Sequence, residues 1–99
     1  MTSPTLQILW SLLKIFSNRV KEDIDMRYLK AFGANLRKLI EARGMSVRAC
    51  ALTLELEPAQ LGRIVRGTQN PSLKTLLHIA TGLGLSPRDL LDFDFDSKK

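Results

Sequence analysis

Apolar residues along this chain recur at intervals of three and four rather than two, so the repeating unit is the helical turn. In residues 6–20 the polar positions Gln7, Ser11, Lys14 and Asn18 keep that spacing and leave a wide apolar face of Leu6, Leu9, Trp10, Leu13, Phe16 and Val20. Such a face needs a cover. The polar run of residues 18–25 reads as a link, although Val20 and Ile24 let the helix continue. From Met26 a second pattern sets Leu29, Phe32, Leu36, Leu39 and Ile40 inward and Lys30, Arg37 and Lys38 outward, with Gly44 placed to cap its end.

Four start signals follow. Ser46 is placed to cap a short helix over Val47–Thr53, with Cys50, Ala51 and Leu54 inward. Pro58 suits the first position of a helix ending at Gly67, because the N–H it lacks has no partner there. Ser72 caps a helix with Leu73, Leu76, Leu77, Ala80 and Leu83 on one stripe, closed by Gly84. Ser86-Pro87-Arg88-Asp89 opens a last turn or two, with Asp89 three residues after the cap. The expected architecture is all-α: an N-terminal helical extension in residues 1–25, a domain over 26–92, and an acidic tail over 93–99.

Charge sharpens this picture. Residues 26–88 carry ten basic side chains against Glu41, Glu55 and Glu57, a net of +7, whereas residues 89–99 hold two lysines against four aspartates. A basic body favours a polyanion such as nucleic acid. The single cysteine, Cys50, cannot close an internal disulfide, which fits a reducing compartment. The apolar stretch of residues 6–16 is too short to span a bilayer and lacks the layout of an export signal, so a cytoplasmic protein without membrane attachment is expected. One His and one Cys make no metal set; His78 reads as a surface residue and Cys50 as a small core hydrophobe. Neither a glycine-rich phosphate loop nor paired carboxylates on a helical face is present, so no cofactor, metal or catalytic residue is expected.

On a wheel of 100° per residue, the helix of residues 58–66 separates Leu61, Ile64 and Val65 from Ala59, Arg63 and Arg66, with Gln60 flanking. One side anchors. The other is small and basic, as a helix entering a major groove about 12 Å wide requires. The stretch GMSVRACALTLELEPAQLGRIVRG, residues 44–67, followed by NPSLKTLLHIA, residues 70–80, resembles the helix-turn-helix domain of the phage repressor and Cro-like family, of xenobiotic-response-element type. The resemblance runs over residues 29–91. In it Cys50, Leu54, Leu56, Leu61 and Ile64 make the small core between the two helices, and Ala51 stays small where they cross.

The resemblance implies a five-helix, lambda-repressor-like domain, here with an added N-terminal amphipathic helix, acting as a sequence-specific transcriptional regulator. Pro58–Arg66 becomes the recognition helix, with Ala59, Gln60 and Arg63 toward base edges and Arg66 near the backbone. Thr68, Gln69 and Asn70 match positions that reach phosphate or a flanking base, and Ser46 and Arg48 match backbone contacts at a helix start. Family members commonly have glutamine where Val47 stands and glycine where Glu55 stands, while Pro58 replaces a polar reader. Modest affinity per subunit follows, compensated by a homodimer on a palindromic operator in double-stranded DNA. Other roles for the fold are a restriction-modification controller, an antitoxin, or a protein-interaction module with weak or no DNA binding. The face of residues 6–20 is a candidate for packing on the domain, for dimerisation, or for a protein partner, and the tail of Phe93 and Phe95 is expected to be disordered.

Overall fold

The computed structural model describes residues 4–95, with the backbone alone at residues 4 and 14–22. It contains α1 (Pro4–Ala42), α2 (Val47–Thr53), α3 (Pro58–Arg66), α4 (Leu73–Leu83) and α5 (Pro87–Leu90). The expected link over residues 18–25 is instead helix. That segment holds neither Gly nor Pro, the two strong helix breakers, and Asp23 pairs with Arg27 one turn on at 3.2 Å. The result is a single helix of 39 residues, about 58 Å long at 1.5 Å per residue. It sets the long axis of a molecule measuring 62 × 25 × 19 Å.

The carboxyl-terminal half of α1 forms one wall of the globular head. Phe32, Leu36 and Ile40 pack with Cys50, Ala51 and Leu54 of the α2 region, Leu61, Ile64 and Val65 of α3, Ile79, Ala80 and Leu83 of α4, and Leu90 of α5. Three positions of the expected helical patterns lie outside it. Met26 is exposed, because α1 at that level has already left the head. On α4, Leu73 is 84% exposed and Leu77 is also open, while the unforeseen Ile79 is fully buried. The buried stripe of α4 thus centres on Leu76, Ile79, Ala80 and Leu83, and the two outer leucines fall on its flank.

Close approach rather than side-chain bulk fixes the α1–α3 crossing. A Cβ on Gly33 would collide with the carbonyl of Val65, so the two backbones touch where glycine stands. At the far end of the head, the Asn35 side-chain amide donates to the Leu90 carbonyl at 3.1 Å and ties α1 to α5. The start of α5 is a capping box: the Asp89 carboxylate accepts from the Ser86 N–H at 2.9 Å while the Ser86 hydroxyl faces the helix start.

The tail departs from expectation. Phe93 stacks against Tyr28 at 5.3 Å between ring centroids and against Phe32 at 6.4 Å, and Phe95 meets Tyr28 edge-on at 5.0 Å. Aromatic contacts of this geometry add roughly 0.5–1.5 kcal/mol each beyond the area they bury. That holds residues 93 and 95 on α1, where a disordered tail was expected; residues 96–99 lie outside the described residues.

Candidate nucleic-acid interface

The two-sided character of α3 survives folding intact. Leu61, Ile64 and Val65 are buried, Ala59, Arg63 and Arg66 are exposed, and Gln60 is half-buried between the two sides. Pro58 occupies the first turn after Glu57, whose side chain makes no capping bond. Gly67 terminates the helix in the left-handed region at φ 79°, a conformation that costs glycine nothing. Its N–H donates to the Ile64 carbonyl at 3.1 Å and that of Thr68 to the Arg63 carbonyl at 3.0 Å, which satisfies the last turn. A Cβ at Gly67 would run into the Lys30 backbone, so the end of α3 is pressed against α1.

Arg63 does not wave freely in solvent. Its Nε–H donates to Gln69 Oε1 at 2.8 Å, and the Thr68 hydroxyl donates to the Arg63 carbonyl at 3.2 Å. With Nε engaged, the guanidinium plane is oriented and both terminal nitrogens stay available as a two-pronged donor. Gln69 was expected to reach phosphate or a flanking base; here its oxygen orients Arg63, which leaves its amide nitrogen to donate elsewhere. Arg66 lies along its own helix, close to where a Cβ on Gly62 would stand. The absence of that side chain leaves room for the guanidinium.

The other expected backbone contacts come from separate elements. The Ser46 hydroxyl accepts from the Ala49 N–H at 3.0 Å as the N-cap of α2, and a hydroxyl that accepts this bond can still donate its own O–H. Arg48 is exposed on the first turn of the same helix, and Thr68 and Asn70 are exposed in the loop after α3. Ser46, Arg48, Thr68 and Asn70 are thus brought to the surface on two elements.

The turn between α2 and α3 carries a backbone cost at Glu55, where family members commonly have glycine. Its φ of 58° places a side chain in a conformation suited to glycine, while Val47 and Leu56 pack against the core and complete the turn. His78, on the surface as expected, also has a structural contact: its Nε2 lies 2.9 Å from the Leu54 carbonyl, so α4 donates to this turn. Cys50 is fully buried, and burial pushes its thiol pKa up, which keeps it a neutral packing group. Sequence reasoning missed the orienting bond of Gln69 and the glycine contacts at Gly33 and Gly62; a glycine inside a helical pattern was the signal for the latter two.

Comparison with known proteins agrees with this geometry. The family model for the Cro/C1-type helix-turn-helix DNA-binding domain matches residues 35–96. Control protein C.BamHI of Bacillus amyloliquefaciens is 36% identical over 63 residues, which is 63% of this chain and 78% of that protein. The transcriptional regulator DdrOP3 of Deinococcus deserti is 35% identical over 57 residues, 58% of this chain and 44% of that one. The crystal structure of the restriction-modification controller protein C.AhdI from Aeromonas hydrophila superposes with a TM-score of 0.60 at 39% identity, covering 63% of this chain and 94% of that chain. The chain belongs to the Cro/C1-type helix-turn-helix DNA-binding family and is a DNA-binding transcriptional regulator.

Proposed function

We propose that this regulator binds a palindromic operator as a homodimer, laying α3 of each copy in the major groove. The observation that carries this reading is the open strip of α3: Ala59, Arg63 and Arg66 face solvent, while Leu61, Ile64 and Val65 fix the helix to the head. Arg63 reads a guanine through its terminal nitrogens, Gln60 pairs with adenine, and Ala59 leaves room for a thymine methyl. Arg66, Ser46, Arg48, Thr68 and Asn70 hold phosphates, and Gln69 orients Arg63. The net charge of +7 over residues 26–88 supplies the general attraction. Two of the similar proteins are control protein C.BamHI and the restriction-modification controller protein C.AhdI, and this supports control of a neighbouring operon. A cytoplasmic location accords with this reading, and no helix among the described residues is long and apolar enough to cross a membrane.

The test is a binding titration with duplex DNA taken from upstream of the protein's own gene, repeated at several salt concentrations. If a dimer neutralises about six to eight phosphates, log affinity falls with log salt at a slope of about −5 to −7. Absence of a shift at low salt, or equal affinity for this duplex and for random sequence, defeats the reading.

A further inference from the structure

The amino-terminal part of α1 carries an apolar surface that the head does not cover. Ile8, Leu9, Trp10, Leu12 and Leu13 are each more than half exposed, Trp10 to 70%. Residues 5–13 include no charged side chain, and Gln7 and Ser11 mark the opposite side of the helix. At 100° per residue, Leu9, Trp10 and Leu13 share one side, and Leu12 and Ile8 extend it. Their exposed area is roughly 600 Å², the upper end for the largest apolar patch on a typical monomer.

We propose that this surface pairs with the same surface of a second copy of the chain. The inference rests on the dimeric reading above and names its interface. An uncharged apolar strip is self-complementary: placed against its own copy across a two-fold axis, it sets no like charges face to face. Full cover of two such strips removes at most about 1,200 Å² from water, which reaches the lower bound for a specific, stable interface. A lipid surface fits less well, because helices that lie on membranes carry several Lys and Arg along their polar side, where this one has Gln7, Ser11, Asn18 and a single lysine, Lys14. The helical backbone of residues 14–25 separates the strip from the head by about 18 Å. Pairing through the arms therefore leaves α3 of both copies open.

The chain itself supplies the probe, because Trp10 is its only tryptophan. Sedimentation velocity and Trp10 emission are followed on dilution of the full chain and of Leu9→Glu/Leu13→Glu. Both substituted positions are exposed, so the variant keeps the melting temperature of the head. The expected result is a wild-type dimer whose Trp10 emission shifts to the red as it dissociates, and a variant whose dimer dissociation constant is roughly tenfold or more weaker. Equal dissociation constants for the two proteins would overturn the proposal, by assigning pairing to another surface. So would a monomeric wild type, or a blue shift of Trp10 obtained only with phosphatidylcholine vesicles. An arm-dependent dimer that shifts no duplex at low salt leaves this interface standing and removes the operator reading. A monomer that shifts its operator does the reverse.

Discussion

Gln69 Oε1 accepts the Nε–H of Arg63 at 2.8 Å, across the end of α3 and into the loop that follows it. An arginine free to rotate must be ordered on binding, and that ordering subtracts from affinity. Gln69 removes part of this cost beforehand. Gln69→Ala should weaken operator binding by about 0.5–1.5 kcal/mol, the net worth of one such bond. The loss should be largest at the base pair that Arg63 reads and small on random DNA. If random and operator sequences lose equally, Gln69 acts as a phosphate contact and not through Arg63.

Arg63 and Arg66 sit on one side of the same helix, yet their surroundings differ: one is held by Gln69, the other lies along α3 over Gly62. Arg63→Ala should cost about 1–3 kcal/mol on the operator and relax preference at one position, whereas Arg66→Ala should weaken all duplexes alike and lower the salt slope by about one. Competition titrations against single-base-pair variants of the operator separate the two. Matching effects of both substitutions on every duplex would remove the division of roles.

Glu55 stands at φ 58°. A residue with a side chain pays about 1–2 kcal/mol in that region. Glycine escapes the clash but gives up about 0.5–1 kcal/mol of chain entropy. The difference favours Glu55→Gly by roughly 0.5–1 kcal/mol, or a few degrees in the melting temperature of a domain this size. Glu55→Ala keeps the strain and should bring no such gain. Thermal melts of both variants decide it: an alanine variant as stabilised as the glycine one would assign the effect to lost charge rather than to backbone geometry.

Local punctuation in the chain announced its short helices. Ser46, Pro58, Ser72 and Ser86 start them, and Gly67 and Gly84 end the longer two in the left-handed conformation. The two sides of α3 were legible too, because a helix of nine residues with three adjacent apolar positions has one way to lie on a core. What escaped depends on packing between distant segments. The burial of Ile79 over Leu73 follows from how α4 rolls against the head, and periodicity accepts either. The docking of Phe93 and Phe95 needs Tyr28, more than sixty residues away in the chain, which no local pattern connects to them. The link foreseen at residues 18–25 failed for a third reason: polarity alone does not stop a helix, and no breaker is present.

Gly33 governs how α3 is held against α1. It lies inside α1, where alanine ordinarily gains about 1 kcal/mol over glycine in helix propensity. Here a Cβ would strike the Val65 carbonyl, and neither backbone can swing aside as a side chain would. The packing penalty for forcing atoms into a filled site is about 1–3 kcal/mol for flexible neighbours and should reach its upper end between two backbones. Gly33→Ala should therefore destabilise by about 1–2 kcal/mol net, against a gain of about 1 kcal/mol in the absence of the contact. The surviving folded protein should also bind its operator less tightly, because α3 rides outward on the displaced contact. Chemical denaturation of Gly33→Ala beside the exposed control Ala34→Gly reads both terms at once. A Gly33→Ala protein more stable than wild type would show that α1 and α3 do not meet at this glycine.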